Sequence, residues 1–273
     1  MEYPTYEPLL RKVQHYFPHV KRLERRDKDC YRLDVDTLLE KVSEKTALLV
    51  ITDPHAPSAS ISGTKELNEV LAVAQEHGFY VLCDEIYAEF SRQFVPNVFS
   101  LDPQHGIVTT SLTKAYGLGG LKLGIALARK DIVDDLYMDV LNTVGNSPNI
   151  VQLIAVDLLR NHAQELEDHK SRWGPLKREA EDLLKERGLE YFPNKTGVTY
   201  WVRMPVKDTY EWVSRQALPK YGLAAVPGAF FLFEDDYELA NSNMLRIGLG
   251  SLNPQNPKLE EAFRAIGKAL EMR

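Results

Sequence analysis

Apolar and polar positions follow two rhythms in the first half of the chain. TALLVIT (Thr46 to Thr52), FYVLCD (Phe79 to Asp84), IVTTS (Ile107 to Ser111) and LGIALA (Leu123 to Ala128) are apolar runs of strand length. Such runs suit strands buried on both faces, and their separation by helix-spaced stretches predicts parallel βαβ units. Between the first two runs, Leu67, Val70, Leu71 and Ala74 recur at i, i+3, i+4 and i+7, with Gly78 as a helix stop. Helical spacing resumes from Asp131. The unusual loops, DPHAPSASIS and TKAYGLGGLKLG, each follow the C-terminal end of a predicted strand. That is where open α/β sheets bind ligands.

The second half reads differently. From Ala163 to Arg187 the chain is charged and helix-spaced, with Gly188 as a stop, and is expected to bridge two lobes. Beyond it, GVTYWVRM, GLAAV and MLRIGL alternate with helical segments near Thr209 to Lys220 and Lys258 to Met272. The expected fold is therefore α/β, with a mostly parallel sheet and helices on both faces over residues 1–165. A smaller C-terminal α+β lobe is expected over 166–273.

Composition narrows the function. A chain of 273 residues, 44% hydrophobic and 26% charged, is globular in type. Its 33 basic and 39 acidic residues give a net charge of −6 without long blocks of either sign, which argues against a nucleic-acid partner. KRLERRDKDC (Lys21 to Cys30), the most basic stretch, is offset by its own acids and reads as a solvated turn. No long uncharged apolar run and no basic-then-apolar start is present, so a cytoplasmic location with no membrane partner is expected. Cys30 and Cys83 form neither a disulfide framework nor a zinc pattern, and Cys83 reads as an inert core thiol. His15 and His19 are separated by Pro18, which spoils a shared helical face, so no metal is expected. YGLGGLKLG lacks the spacing of a dinucleotide loop. FFLF (Phe230 to Phe233) reads as core or a subunit contact, and Asn146 and Ser147 as surface loop.

Two residues carry chemistry on their own terms. Asp84 ends a predicted buried strand, where a carboxylate needs a cation or strong hydrogen bonds. Lys114 lies in a Gly-containing stretch just past another strand end, and desolvation or a nearby cation there would make its amine nucleophilic. Taken singly, Asp84 could cap a helix, Lys114 and Lys122 could be solvated, Tyr6 could be packed surface, and Arg246 could pair with Asp235 or Asp236.

Together, DEIY (Asp84 to Tyr87), SLTK (Ser111 to Lys114), Lys122 and LRIGLG around Arg246 resemble the class I/II aminotransferases, fold-type I pyridoxal-phosphate enzymes. PTY (Pro4 to Tyr6), DPHAP and VPGAFF extend the likeness over nearly the whole chain, in family order. The resemblance implies pyridoxal 5'-phosphate held covalently by Lys114, which then shuttles a proton at the substrate α-carbon. It implies Asp84 on the ring nitrogen, Tyr87 on the ring hydroxyl oxygen, Ser111 and Lys122 on the phosphate, and Tyr6 stacked on the ring. Arg246 would clamp the α-carboxylate of an amino acid. A homodimer acting on an amino acid and a 2-oxo acid is the expected assembly.

Three departures qualify the likeness. Ala56 replaces the family's usual asparagine and loses a hydrogen bond worth about 0.5–1.5 kcal/mol. Lysine replaces the usual arginine at 122, keeping charge without the bidentate fork. Met1 also stands close before PTY, so the family's N-terminal segment, with its phosphate-cradling loop, is expected to be lacking. A lyase or synthase acting on an amino acid, and a non-catalytic remnant, are the alternatives.

Overall fold

The computed structural model describes residues 1–91, 96–194, 196, 198–233, 242–249 and 258–271. In chain order the first part comprises β1 (Glu2–Tyr3), α1 (Glu7–Tyr16), β2 (Leu23–Glu24), α2 (Val35–Lys41), β3 (Leu48–Thr52) and α3 (Thr64–His77). It continues through β4 (Tyr80–Asp84), α4 (Val98–Leu101), β5 (Gly106–Thr110), α5 (Leu112–Ala115), β6 (Ile125–Leu127) and α6 (Lys130–Thr143). The strands pair in the order β3-β4-β5-β6, parallel except for the antiparallel edge strand β6.

Alternation along these strands explains why both faces are covered. Leu49, Ile51, Val81, Cys83 and Val108 pack against Leu67, Val70, Leu71 and Ala74 of α3, the stripe read from the sequence. Leu48, Val50 and Leu82 point the other way and meet Leu10 of α1 and the Met1 side chain. Each buried Leu or Val contributes about 1.5–3 kcal/mol relative to exposure. Gly78 ends α3 with φ +71°, a left-handed conformation that favours glycine. Gly106 serves a different need, because a Cβ there would stand 2.3 Å from the Val98 carbonyl oxygen at the β5 start.

Register aligns the strand ends. Thr52 is level with Asp84, and Asp84 with Thr109, so the loops after β3, β4 and β5 leave from one edge. The stretch Lys21–Cys30 departs from its reading as a solvated turn. Arg25 is wholly buried, its Nη1 donating to Glu2 Oε2 at 2.7 Å with both side chains at 0% exposure. Its Nε donates to the Tyr31 carbonyl at 2.7 Å. Glu2 Oε1 in turn accepts from Thr52 N (2.7 Å) and Thr52 Oγ1 (2.6 Å). Local charge balance suggested solvent; pairing of β1 with β2 carries Arg25 inward to an acid distant in sequence.

The remaining elements are α7 (Asn149–Asn161), α8 (Ala163–Glu186), β7 (Glu190–Tyr191), β8 (Thr199–Arg203), α9 (Thr209–Trp212), α10 (Leu218–Tyr221), β9 (Val226–Pro227), β10 (Met244–Gly248) and α11 (Lys258–Glu271). The antiparallel sheet β7-β8-β10-β9 buries Tyr200, Val202 and Leu245 against Ala180 and Leu184 of α8 and Phe263 of α11. The helix expected from Thr209 to Lys220 is interrupted by a π-helical turn, Val213–Ala217. Two causes coincide there: the Ser214 hydroxyl donates to the Tyr210 carbonyl at 2.8 Å, and Pro219 has no N–H to give. No described helix is long and apolar enough to cross a membrane. On α6 no residue is buried, and Val133, Leu136, Tyr137, Val140 and Leu141 form an exposed apolar stripe.

Gly106→Ala is expected to cost about 1–3 kcal/mol through backbone overpacking, read as a lowered urea midpoint. Glu2→Gln leaves the buried Arg25 charge without its counter-ion. It should destabilise by about 3–5 kcal/mol in the same assay.

Candidate active site

The end of β5 sets the first functional side chain. Ser111 caps α5: its Oγ accepts from Thr113 N at 3.0 Å and donates to the Leu123 carbonyl at 2.6 Å. Lys114 therefore projects from a one-turn helix, rather than from the Gly-containing loop itself, which begins beyond it at Gly117. It lines a cavity of about 510 Å³ together with Tyr87, Phe90, Trp173, Thr199 and Arg246.

Arg246 reaches this cavity from β10, where it is level with Trp201 on β8 and Val226 on β9. Its guanidinium lies 4.9 Å from the centre of the Phe231 ring, a cation–π contact. Burial pulls its pKa down, with Tyr87 and then Tyr6 opposing. No described acid lies within ion-pair distance of it. Asp235 and Asp236 lie outside the described residues. A half-buried guanidinium that meets no carboxylate among the described residues suits an anion.

Asp84 closes β4 at the same sheet edge, on the strand adjacent to β5. By alternation its side chain takes the face of Val50 and Leu82, which α1 covers. Oδ1 accepts one hydrogen bond, from Ile86 N at 3.2 Å. No described cation pairs with it, and burial pushes its pKa up. The sequence led to an expectation of a cationic partner; within the described residues the position for one is left to a ligand.

Tyr87 joins two spaces. Besides the main cavity it lines a narrow cleft with His55, Ala56, Thr199 and Arg246. Burial pushes the Tyr87 phenol up, and the Arg246 charge opposes this. Ala56 N donates to Thr52 Oγ1 at 2.8 Å, tying the DPHAP loop to the same threonine that binds Glu2.

The cavity brings together Lys114, Tyr87 and Arg246; Asp84, Ser111, Lys122 and Tyr6 are not among its lining residues. Tyr6 is 40% exposed at the N-terminus of α1, the helix on the Asp84 face. Lys122 is exposed with φ +53°, a left-handed conformation uncommon for lysine.

Several residues at this edge carried no usable sequence signal. Phe90, Trp173 and Thr199 line the cavity from segments far apart in the chain. His55 is fully buried between the Ser58 hydroxyl (2.7 Å from Nδ1) and the Pro4 carbonyl (2.9 Å from Nε2). Burial lowers its pKa well below the usual value, so the ring is neutral and donates from Nε2. Asp53 and Glu85 are also buried, each with one carboxylate oxygen lacking a hydrogen-bond partner among the described residues.

These features have relatives. The family described as aminotransferase class I and II matches residues 1–266. Histidinol-phosphate aminotransferase 2 of Haemophilus influenzae is 30% identical over 244 residues, covering 87% of this chain and 60% of that protein. Aspartate aminotransferase of Pyrococcus horikoshii is 26% identical over 266 residues, covering 92% of this chain and 63% of its own length. The solved aspartate aminotransferase of Thermus thermophilus with maleate superposes with a TM-score of 0.88 at 18% identity, over 98% of this chain and 68% of that one. That likeness carries the fold, which is fold type I. The chain spans about three fifths of the length of the curated relatives it matches. By its match from residue 1 to residue 266, the chain belongs to the class I and II aminotransferase family.

Proposed function

We propose that this chain carries the catalytic side chains of a pyridoxal-phosphate-dependent aminotransferase that moves an amino group between an α-amino acid and a 2-oxo acid. One observation carries the reading: Lys114 and Arg246 open onto one cavity, while Asp84, at the same sheet edge, has no described counter-ion. A carboxylate destabilised by burial gains most from a cationic ring nitrogen, and a guanidinium with no acid among the described residues gains most from a carboxylate. The residues present thus suit both cofactor and substrate.

When bound, the cofactor supplies an electron-withdrawing ring that takes up the electron pair released at the substrate α-carbon. Lys114 Nζ would attach it to the chain and, once freed by the substrate amine, carry the proton at the α-carbon. Asp84 would keep the ring nitrogen protonated, and Tyr87 would donate its hydroxyl proton to the ring oxygen. Tyr6 would stack on the ring. Arg246 would hold the α-carboxylate through two parallel hydrogen bonds, which orients the α-carbon toward Lys114. At the phosphate, Lys122 would give charge. Ser111 already donates to the Leu123 carbonyl and would have to turn its hydroxyl to help. A homodimer in the cytoplasm accompanies this reading by family likeness.

Two outcomes test it. Pyridoxal phosphate added to the purified chain should give a visible absorption band that Lys114→Ala abolishes, with amino transfer falling by more than about 10²-fold. A protein that stays colourless favours the remnant, and turnover without a 2-oxo acid favours a lyase. Arg246→Lys should leave the band intact and raise KM for the amino acid about 10- to 100-fold, because charged hydrogen bonds contribute about 1.5–3 kcal/mol.

A further inference from the structure

Beneath Asp84 lies a pair of acids that the proposed reaction leaves without a task. β3 and β4 run in parallel register from Leu48 with Tyr80 to Thr52 with Asp84. The ladder continues one step further, since Asp53 N donates to the Asp84 carbonyl at 3.1 Å and Glu85 N to the Thr109 carbonyl at 2.8 Å. Asp53 and Glu85 are thus cross-strand neighbours. By alternation they share the face of Ile51 and Cys83, the α3 side, away from Asp84. Both are buried, at 0% and 7% exposure.

Their hydrogen bonds are complementary in what they lack. Asp53 Oδ1 accepts from Ser62 N at 3.0 Å, and Glu85 Oε2 accepts from Asn97 Nδ2 at 3.1 Å. The other oxygens, Asp53 Oδ2 and Glu85 Oε1, meet no donor in hydrogen-bond geometry among the described residues, although the Ser62 hydroxyl and the Val98 N–H also act on the two carboxyls. Two ionised carboxylates are acceptors only and cannot satisfy each other, whereas a proton shared between them would give each a donor.

We propose that Asp53 and Glu85 share a single proton and that this pair positions Asp84 and the DPHAP loop for the cofactor ring nitrogen. The positioning role rests on the aminotransferase reading; the shared proton does not. Asp53 holds the Asp84 carbonyl from one side, and Glu85 follows Asp84 in the chain and is anchored to β5 on the other. Loss of the proton would set two like charges against each other across the peptide that carries Asp84.

The surroundings favour retention of that proton. Burial pushes Asp53 up to about 7, with Arg25 opposing, and burial followed by the Asp53 charge pushes Glu85 up to about 8. The other charged groups acting on the pair are Arg25 and Glu2, which are matched to each other, and Asp84. The Cys83 thiol is held un-ionised by burial and by these acids.

The chain without cofactor provides the test. Unfolded Asp and Glu release their protons near pH 4, roughly, while the folded pair retains one. Stability should therefore fall as pH rises from there through the interval of about 7 to 8, about tenfold in the folding constant per pH unit per proton. Asp53→Asn replaces the shared proton with an amide donor and should flatten that fall; Glu85→Gln should do so from the other side. In infrared spectra against pH, wild type should show an un-ionised carboxyl band at neutral pH that both variants lose. Pyridoxal phosphate affinity of wild type should drop over the same interval while Asp53→Asn holds its neutral-pH value. A wild type without the band, or variants that keep the wild-type slope, overturns the shared proton. A cofactor affinity that is flat with pH, with band and slope present, overturns the positioning role. A wild type that binds no cofactor at any pH removes that role together with the proposed function, and band and slope still decide the pair.

Discussion

The Glu2–Arg25 ion pair is the contact on which the functional edge of this molecule hangs. It is wholly buried, so neither charge is screened by water, and removing either partner strands the other in a medium that solvates it poorly. Its second role is geometric. The same Glu2 carboxylate binds Thr52 at the last step of β3, and the Thr52 hydroxyl takes the Ala56 N–H. A short N-terminal strand, the strand β3 and the DPHAP loop are thereby joined through three side chains. The cleft lined by Ala56, Tyr87 and Arg246 follows from that connection.

Much of the architecture was legible because it depends on local rules. Continuous apolar runs predicted β3, β4, β5 and β6, and helical spacing with a terminal glycine predicted α3 and the glycine that ends it. The positions of Asp84 and Lys114 at strand ends were equally readable, since an apolar run that stops at a polar residue marks where a strand leaves the core. The features that escaped depend on partners distant in sequence. Arg25 sits among offsetting charges and looks solvated until β1 places Glu2 beside it. Phe90, Trp173 and Thr199 meet at one cavity from three segments with no shared pattern. Asp53 and Glu85 gain their character from strand register, which composition does not reveal. The π turn in the 209–221 helix needed both Ser214 and Pro219 to be weighed together.

The candidate site is assembled from groups the chain itself leaves incomplete. Arg246 rests on the Phe231 ring and meets no acid among the described residues, and Asp84 accepts one backbone hydrogen bond there where a buried carboxylate can accept several. Each omission costs folding free energy that a ligand of opposite charge can recover, the usual tension between a stable site and a receptive one. The likeness to a solved structure at 18% identity shows how little of the sequence is needed to maintain the fold.

Helix α6 carries a consequence of another kind. With none of its side chains fully buried, it adds little to the cores that hold the rest of the molecule. Substitutions at Leu136, Tyr137 or Val140 are therefore insulated from the thermodynamics of the core, and a systematic survey of variants there would report on solubility and molecular recognition with little confounding from misfolding.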